Sequence, residues 1–160
     1  MDKIQSKIGA ICINFETLDL VLSATISRLV SDNAKIGAIL TTELSFGSLV
    51  NCFSSLIKYQ FSTDNNIISK ANELIKVFNE CQIKRNQIIH STYYFKDFEN
   101  NKNNVGRIKI SSKQKHGLKI DNEVITEDDL KFINEQILLG IEQLQSLYSH
   151  LYQGEQIKYG

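Results

Sequence analysis

The sequence predicts an all-α protein, a bundle of four to five long helices with a small β-hairpin between the third and the last of the long helices. Three observations support this fold class. Apolar residues recur at spacings of three and four over long stretches, which is the pattern of amphipathic helices. The chain has no proline, the residue that most strongly interrupts helices. One short stretch alternates apolar and basic residues, which is the pattern of strands.

The composition predicts a single domain, residues 1–160, with a core of ordinary size. The formal net charge is zero, which argues against strong non-specific binding to nucleic acid. The three cysteines fall singly in apolar helical patterns, as buried free thiols in a reducing compartment do. No apolar run approaches the roughly 18 residues of a membrane span. We therefore expect a cytoplasmic protein without a membrane partner.

The first helix is predicted over residues 3–31. Its apolar stripe follows a seven-residue repeat, which favours packing along a partner helix. The stripe consists of Ile4, Ile8, Ile11, Phe15, Leu18, Leu22, Thr25 and Leu29. After a turn at residues 31–33, the helical pattern resumes over residues 34–60, and residues 44–47 interrupt it. We expect a break there, with Ser45 capping the restarted helix.

The third long helix is predicted from about Asn65 to about Thr92, with Asp64 as its N-cap. One of its faces is an apolar row formed by Leu74, Phe78, Cys81 and Ile88. Arg85 falls in that same row, where an arginine is costly unless a partner satisfies its charge. Three acids are candidates for that partner: Glu16, Asp19 and Glu43.

A β-hairpin is predicted at about residues 105–120, and it is rich in basic residues. The basic residues in or beside it are Lys102, Arg107, Lys109, Lys113, Lys115 and Lys119. One interpretation is a solvated hairpin whose charges prevent edge-to-edge pairing. The other is a contact with the RNA backbone through Arg107, Lys109, Lys113 and Lys115. The last helix then begins after Thr126, which caps it.

The segment Arg85-Asn86-Gln87-Ile88-Ile89-His90 is the candidate functional motif. It resembles the Arg-x(4–6)-His motif of the HEPN superfamily (higher eukaryotes and prokaryotes nucleotide-binding domain). That family often has a polar residue directly after the arginine, and Asn86 matches. The position of the motif, late in the third long helix of a small helical chain, is also typical of the family.

The resemblance implies a metal-independent endoribonuclease in which two motifs face each other across a homodimer cleft. His90 would then be the general acid and base, because imidazole titrates near neutral pH. Arg85 would hold the scissile phosphate with its planar, permanently charged guanidinium. Asn86 would orient His90 or contact phosphate, and the product would end in a 2′,3′-cyclic phosphate. No metal or cofactor is implied.

The resemblance further suggests a toxin or an anti-phage defence protein, with an antitoxin or companion protein as a partner. One subgroup of the family has an Arg-x4-His-x-Tyr motif, whose tyrosine is nucleotidylated by a partner nucleotidyltransferase antitoxin. Thr92 stands at that position here, and Tyr93 follows one residue later. Tyr93 is therefore the candidate for modification, one residue beyond the position that the motif gives to its tyrosine.

Two alternatives stay open at the level of the sequence. The first alternative to a ribonuclease is a non-catalytic HEPN-like module, which binds nucleotide or RNA or mediates dimerisation. The second is an unrelated helical adaptor in which the motif is a chance match. A nuclease requires Arg85 and His90 to be reachable in a cleft near the basic hairpin. A non-catalytic module instead predicts that an acid satisfies Arg85 and that no cleft lies beside it.

Overall fold

The chain forms five helices and three strands within the residues described by the computed structural model, which are 2–94, 104–113 and 117–153. In order they are α1 (Asp2–Val30), α2 (Ala34–Thr41), α3 (Phe46–Gln60), α4 (Asn65–Ile89), β1 (Thr92–Tyr94), β2 (Asn104–Lys113), β3 (Gly117–Thr126) and α5 (Glu127–Gln153). The predicted helical bundle is confirmed. The sequence did not predict β1, and α4 ends at Ile89, a little earlier than expected.

Helix α1 is the centre of the bundle and packs against α2, α3, α4 and α5. Its buried side chains are Ile4, Ile11, Phe15, Leu18, Leu22, Thr25, Ile26, Ser27 and Leu29. This is the predicted seven-residue stripe, apart from Ile8, which is only partly buried, and the added Ile26 and Ser27. Burial of one such aliphatic side chain contributes about 1.5–3 kcal/mol, so the stripe accounts for much of the stability of the fold.

Helix α1 also has the length and composition of a membrane-spanning helix between Lys3 and Val30. This finding corrects the expectation that no segment approaches a membrane span. A core helix of a soluble protein passes the same test, and α1 buries one side against four other helices.

Local capping sets where the helices begin. The hydroxyl of Ser45 accepts a hydrogen bond from the backbone N–H of Ser48 at 3.2 Å, so α3 restarts where the sequence predicted a break. Asp64 caps α4 in the same way, accepting two backbone N–H groups at 3.0 Å each. At α5, Asp129 N–H donates to the Thr126 hydroxyl, and the Asp129 carboxylate accepts from Thr126 in return.

An aromatic cluster joins α1, α3 and α4. The ring of Phe46, the first residue of α3, lies with its centroid 4.7 Å from that of Phe15 and 6.0 Å from that of Phe78. Phe53 extends the cluster, with its centroid 6.4 Å from that of Phe78. These tilted and edge-on arrangements are the favourable ones for aromatic rings. They fix the part of α1 that faces the candidate motif of α4.

The strands form one antiparallel sheet in the order β1-β2-β3. β2 and β3 are the predicted hairpin, extended to Thr126. Val105 pairs with Ile125, and both are buried against the helices. Ile110 pairs with Ile120 farther along, and both are exposed. Since side chains alternate between the faces of a strand, the face that carries Val105 turns toward the bundle and the face that carries Ile110 turns toward solvent.

Candidate functional site

The motif lies in the last turns of α4, and His90 is the residue that ends the helix. The His90 N–H donates to the backbone oxygen of Asn86 at 3.3 Å, while the side chain of His90 is exposed. Asn86 is thus bound to His90 through its backbone. Its side-chain oxygen instead accepts a hydrogen bond from Nη1 of Arg85 at 3.2 Å. In this arrangement the Asn86 side chain orients Arg85.

Arg85 is held between α4 and α1. Its Nη2 lies 3.1 Å from a carboxylate oxygen of Glu16, and its guanidinium carbon lies 5.1 Å from the centre of the Phe15 ring. Of the three acids that the sequence offered as partners, Glu16 makes the ion pair. The side chain of Arg85 is 23% exposed and that of Glu16 is 65% exposed. An ion pair this open to water contributes about 0–1 kcal/mol, so Arg85 can exchange Glu16 for another anion at little cost.

Asp19 lies close to this ion pair, and one of its carboxylate oxygens has no hydrogen-bond partner among the described residues. Burial and the neighbouring Glu16 raise the pKa of the Asp19 carboxyl above its ordinary value, and the charge of Arg85 partly opposes that effect. Within the described part of the chain, one carboxylate oxygen of Asp19 and Nε of Arg85 are buried without a hydrogen-bond partner. The cluster of Glu16, Asp19 and Arg85 therefore has unused hydrogen-bonding groups.

Arg107 of β2 fixes the end of α4 to the sheet. Its Nη1 donates to the backbone oxygen of Gln87 at 2.8 Å and to the hydroxyl of Ser91 at 3.0 Å, and its Nη2 binds Glu123 at 2.6 Å. The side chain is only 2% exposed. The interpretation of Arg107 as an RNA contact is therefore corrected, since its guanidinium is enclosed by intramolecular acceptors and offers no surface to a phosphate.

Two further side chains from the strands bind the last carbonyl groups of α4. Lys109 donates from Nζ to the backbone oxygen of Asn86 at 3.2 Å, and the hydroxyl of Tyr93 donates to that of Ile88 at 2.8 Å. Burial raises the pKa of Tyr93 to about 12. The carbonyl groups of a last helical turn have no partner within the helix. The sheet supplies those partners, and a cation such as Lys109 also suits the negative helix end.

For the other basic residues of the hairpin, the described part of the structure gives no contact between the side chain and the motif. Lys115 lies outside the described residues, and of Lys113 only the backbone is described. Lys119 makes an ion pair with Asp121 at 2.9 Å. Of the predicted RNA-contacting residues, Lys109 is the one whose amino group is described beside the motif.

The sequence reasoning missed Ser91 and Glu123 as parts of this region. Both bind the buried guanidinium of Arg107. The available signal was the strand-like run Thr92-Tyr93-Tyr94 directly after the motif, since tyrosine and threonine favour strands. A strand there pairs with β2 and brings the ends of α4 and the hairpin together.

Three cavities of the described surface lie away from the motif. The largest of these, about 700 Å³, lies between α4 and α5 and includes Lys70 and His150 in its lining. A smaller apolar one of about 160 Å³ includes Ile83 and Phe132, and the third lies near Glu127. Neither Arg85 nor His90 lines any of the three. The described residues also contain no group of three or more histidine, cysteine or acidic side chains arranged to hold a metal ion.

Comparisons with known proteins found no matching protein-family model, no matching curated protein and no matching solved structure. The resemblance to the HEPN superfamily therefore depends on the motif alone. The motif has the residues Arg85, Asn86 and His90, and it lies late in α4 of a helical bundle. What these residues do is argued below from their contacts.

Proposed function

We propose that the chain is a HEPN-like, metal-independent endoribonuclease that cleaves RNA at a site shared by two copies. The observation that carries this proposal is the loosely held Arg85. Its charge is paired with a largely exposed carboxylate of Glu16, and the imidazole of His90 is exposed at the end of the same helix. A guanidinium that can accept a phosphate and an imidazole that can move a proton are the two groups needed for RNA transesterification.

In the proposed reaction, neutral His90 takes the proton of a ribose 2′-hydroxyl, and the resulting oxygen attacks the adjacent phosphorus. The bond between phosphorus and the 5′-oxygen breaks, and that oxygen receives a proton from a protonated imidazole. His90 of the partner subunit can supply this second imidazole. Arg85 replaces Glu16 with the phosphate and offsets the charge that develops on its oxygens. The products are a 2′,3′-cyclic phosphate and a 5′-hydroxyl.

RNA would approach from the side of the sheet. Lys109 supports this direction, because its amino group is already bound to the backbone of Asn86 within the motif. Lys113 and Lys115 follow Lys109 in the sequence and continue its basic segment. Electrostatic contact of lysines with phosphates positions an RNA strand without reading its sequence.

The biological role that follows from the family resemblance is that of a cytoplasmic toxin or anti-phage defence protein. An antitoxin or companion protein would control it. Modification of Tyr93 would first require its hydroxyl to leave the backbone oxygen of Ile88, to which it now donates. Control through Tyr93 would therefore act on the end of α4 and, through it, on His90.

The alternative is a non-catalytic HEPN-like module for nucleotide or RNA binding, or for dimerisation. A specific observation favours it: Arg85 already has an acidic partner in Glu16. In this alternative, Arg85 ties α4 to α1 and His90 ends the helix. Neither residue then needs to meet RNA.

The deciding experiment is cleavage of a labelled pool of tRNA and mRNA in the presence of EDTA. The proteins compared are the wild type, His90→Ala and His150→Ala, in which another exposed histidine near a helix end is removed. We expect the wild type and His150→Ala to cleave and to leave cyclic phosphate ends. His90→Ala should lose at least about 100-fold in rate, the usual contribution of a general acid or base.

Circular dichroism and mass measurements on all three proteins check that folding and assembly are unchanged. Equal cleavage by the wild type and His90→Ala would contradict the role of His90 as the general acid and base. Absence of cleavage by every protein, together with saturable binding of RNA or nucleotide, would instead support the non-catalytic module.

A further inference from the structure

The last strand of the sheet, β3, has one open edge. The strand order is β1-β2-β3, so in the described part of the chain β3 pairs with β2 on one side and with no strand on the other. β3 is ten residues long, and most of these residues are exposed. A strand edge presents a row of backbone N–H and C=O groups with which another strand can pair. The open edge of β3 is therefore a template for a further strand.

The solvent-facing side of β3 is apolar near the hairpin turn. Leu118 and Ile120 are 67% and 60% exposed, and Ile110, which pairs with Ile120, is 64% exposed. Side chains on the same face of neighbouring strands contact one another, so a strand added at this edge would cover part of these residues. The open backbone edge and the exposed apolar side chains therefore fit the same kind of occupant, an extended strand.

The other side of β3 carries charges of both signs, and these decide which strand fits. Lys119 makes an ion pair with Asp121 at 2.9 Å, and Glu123 binds Arg107. Charges on an edge strand prevent pairing where like charges come opposite one another. Because the sign changes from Lys119 to Asp121, a strand that carries the two signs in the reverse order fits without repulsion. An antiparallel copy of β3 carries them in that order.

The sequence of β3 also selects the register of such a pair. Two antiparallel copies are related by a two-fold axis perpendicular to the sheet, which keeps their solvent-facing sides together and places one residue opposite its own copy. An axis at Lys119, Asp121 or Glu123 brings two like charges together, and an axis at Asn122 places Asp121 opposite Glu123 of the partner subunit. An axis at Ile120 instead places Lys119 opposite Asp121 of the partner subunit, twice. Between residues 119 and 123, Ile120 is the position that avoids like charges.

We propose that β3 pairs with β3 of a second copy in an antiparallel contact centred on Ile120. The two three-stranded sheets then continue as one sheet of six strands. At its centre the two Ile120 side chains meet, and two lysines and two aspartates alternate in sign on the other side. This contact uses no group of the candidate motif, since Arg85 binds Asn86 and Glu16 of its own chain. The proposal is argued from the sheet alone and does not depend on the ribonuclease function.

The first test is oxidative cross-linking of Ile120→Cys. Opposite residues of an antiparallel pair have Cα atoms about 4.5–5.5 Å apart, which a disulfide can bridge. Leu118→Cys is the matched control, because Leu118 is similarly exposed on the same face. Its two copies would lie about 13 Å apart, four residues along the strand direction. We expect a cross-linked dimer for Ile120→Cys, and none for Leu118→Cys or for the wild type with its own three cysteines.

The second test measures the dimer dissociation constant by sedimentation at concentrations up to about 1 mM, because a contact of one strand pair is small and such contacts are weak. Lys119→Asp replaces two opposite-charge pairs by two like-charge pairs and should weaken the dimer at least about tenfold. Adding Asp121→Lys restores opposite charges in both pairs and should bring the constant back to within about threefold of the wild type. Lys131→Asp makes the same charge change on α5 and should leave it unchanged.

Circular dichroism checks that each variant is folded, which is expected because the side chain of Lys119 is 70% exposed. A wild type that stays monomeric up to about 1 mM overturns the proposal. A dimer that Lys119→Asp leaves unchanged would assign dimerisation to another surface and would overturn it as well. Equal cross-linking of Ile120→Cys and Leu118→Cys, or of neither, would contradict the register. RNA cleavage is measured separately, so failure of the ribonuclease function leaves these results as they stand.

Discussion

Two arginines meet the last turns of α4, and they are held in opposite ways. Arg107 reaches in from β2, is 2% exposed and binds two neutral oxygen acceptors and a carboxylate. Arg85 belongs to α4 itself, is 23% exposed and binds the side chains of Asn86 and Glu16. The comparison teaches that the burial of the guanidinium itself and the number of neutral oxygens that it binds distinguish a structural arginine from one that can exchange its anion. The carboxylate partners do not distinguish the two arginines, because Glu16 is 65% exposed and Glu123 is 57% exposed.

Replacement of Arg107 has the largest expected effect. Arg107→Met keeps the apolar stem but removes the charged hydrogen bonds to Gln87, Ser91 and Glu123, and leaves the Ser91 hydroxyl as the remaining side-chain donor to the backbone oxygen of Gln87. We expect the free energy of unfolding to fall by about 3 kcal/mol. Urea unfolding measures this value. Lys131→Met, at a largely exposed ion pair on α5, is the control and should change it by under about 0.5 kcal/mol.

A loss below about 1 kcal/mol for Arg107→Met would contradict the structural role of Arg107, because an exposed ion pair contributes that little.

Tyr93→Phe is expected to have an intermediate effect. It removes the hydrogen bond to the backbone oxygen of Ile88 and should cost about 1 kcal/mol at neutral pH. The pKa of Tyr93 is raised in the folded protein to about 12 from its ordinary value of 10.0, because burial disfavours the ionised phenol. Its contribution to stability is therefore fully present below pH 10 and is lost as the pH rises toward 12.

Urea unfolding of the wild type and Tyr93→Phe at pH 8, 10 and 11.5 measures this effect, and we expect the difference between them to shrink as the pH rises. A difference that stays constant over this range would mean that Tyr93 ionises equally in the folded and unfolded states.

Replacement of Glu16 has the smallest expected effect on stability and sharpens the comparison most directly. Glu16→Gln should change the free energy of unfolding by under about 1 kcal/mol, since the ion pair with Arg85 is open to water. Under the proposed function, it should also tighten binding of single-stranded RNA by about fivefold, because about 1 kcal/mol of competition for Arg85 is removed. Fluorescence anisotropy with a labelled oligonucleotide measures the affinity.

Glu43→Gln is the matched control, because Glu43 is an exposed acid of the same kind that makes no ion pair with Arg85. Equal affinities for Glu16→Gln and Glu43→Gln would show that Arg85 does not meet the RNA.

The sequence predicts the features that depend on neighbours along the chain. The caps at Ser45, Asp64 and Thr126, and the break before α3, are confirmed because a capping side chain binds the backbone two or three residues away. The sequence left three acids as possible partners of Arg85, because no local pattern predicts that α1 packs against α4. The structure selects Glu16.

The hairpin shows a different limit of sequence reasoning. Its alternation predicts two faces but does not say which of them is buried. The buried face carries Val105 and Arg107, whereas Ile110 and Ile120 on the other face are exposed. A rule that buries the more apolar face would have chosen wrongly. The contacts of Arg107 with the end of α4 explain the outcome, because they require the basic face to turn inward at that point.

The attachment of the strands to the last carbonyl groups of α4 has a consequence for hydrogen exchange and folding. Arg107 and Lys109 come from residues far along the chain, so the last turn of α4 gains these two contacts when the hairpin docks. The amide protons of residues 86–91 should then exchange with solvent together with those of the hairpin, as one cooperative unit. His90 would acquire its fixed position at the end of folding and lose it at the first opening of the sheet.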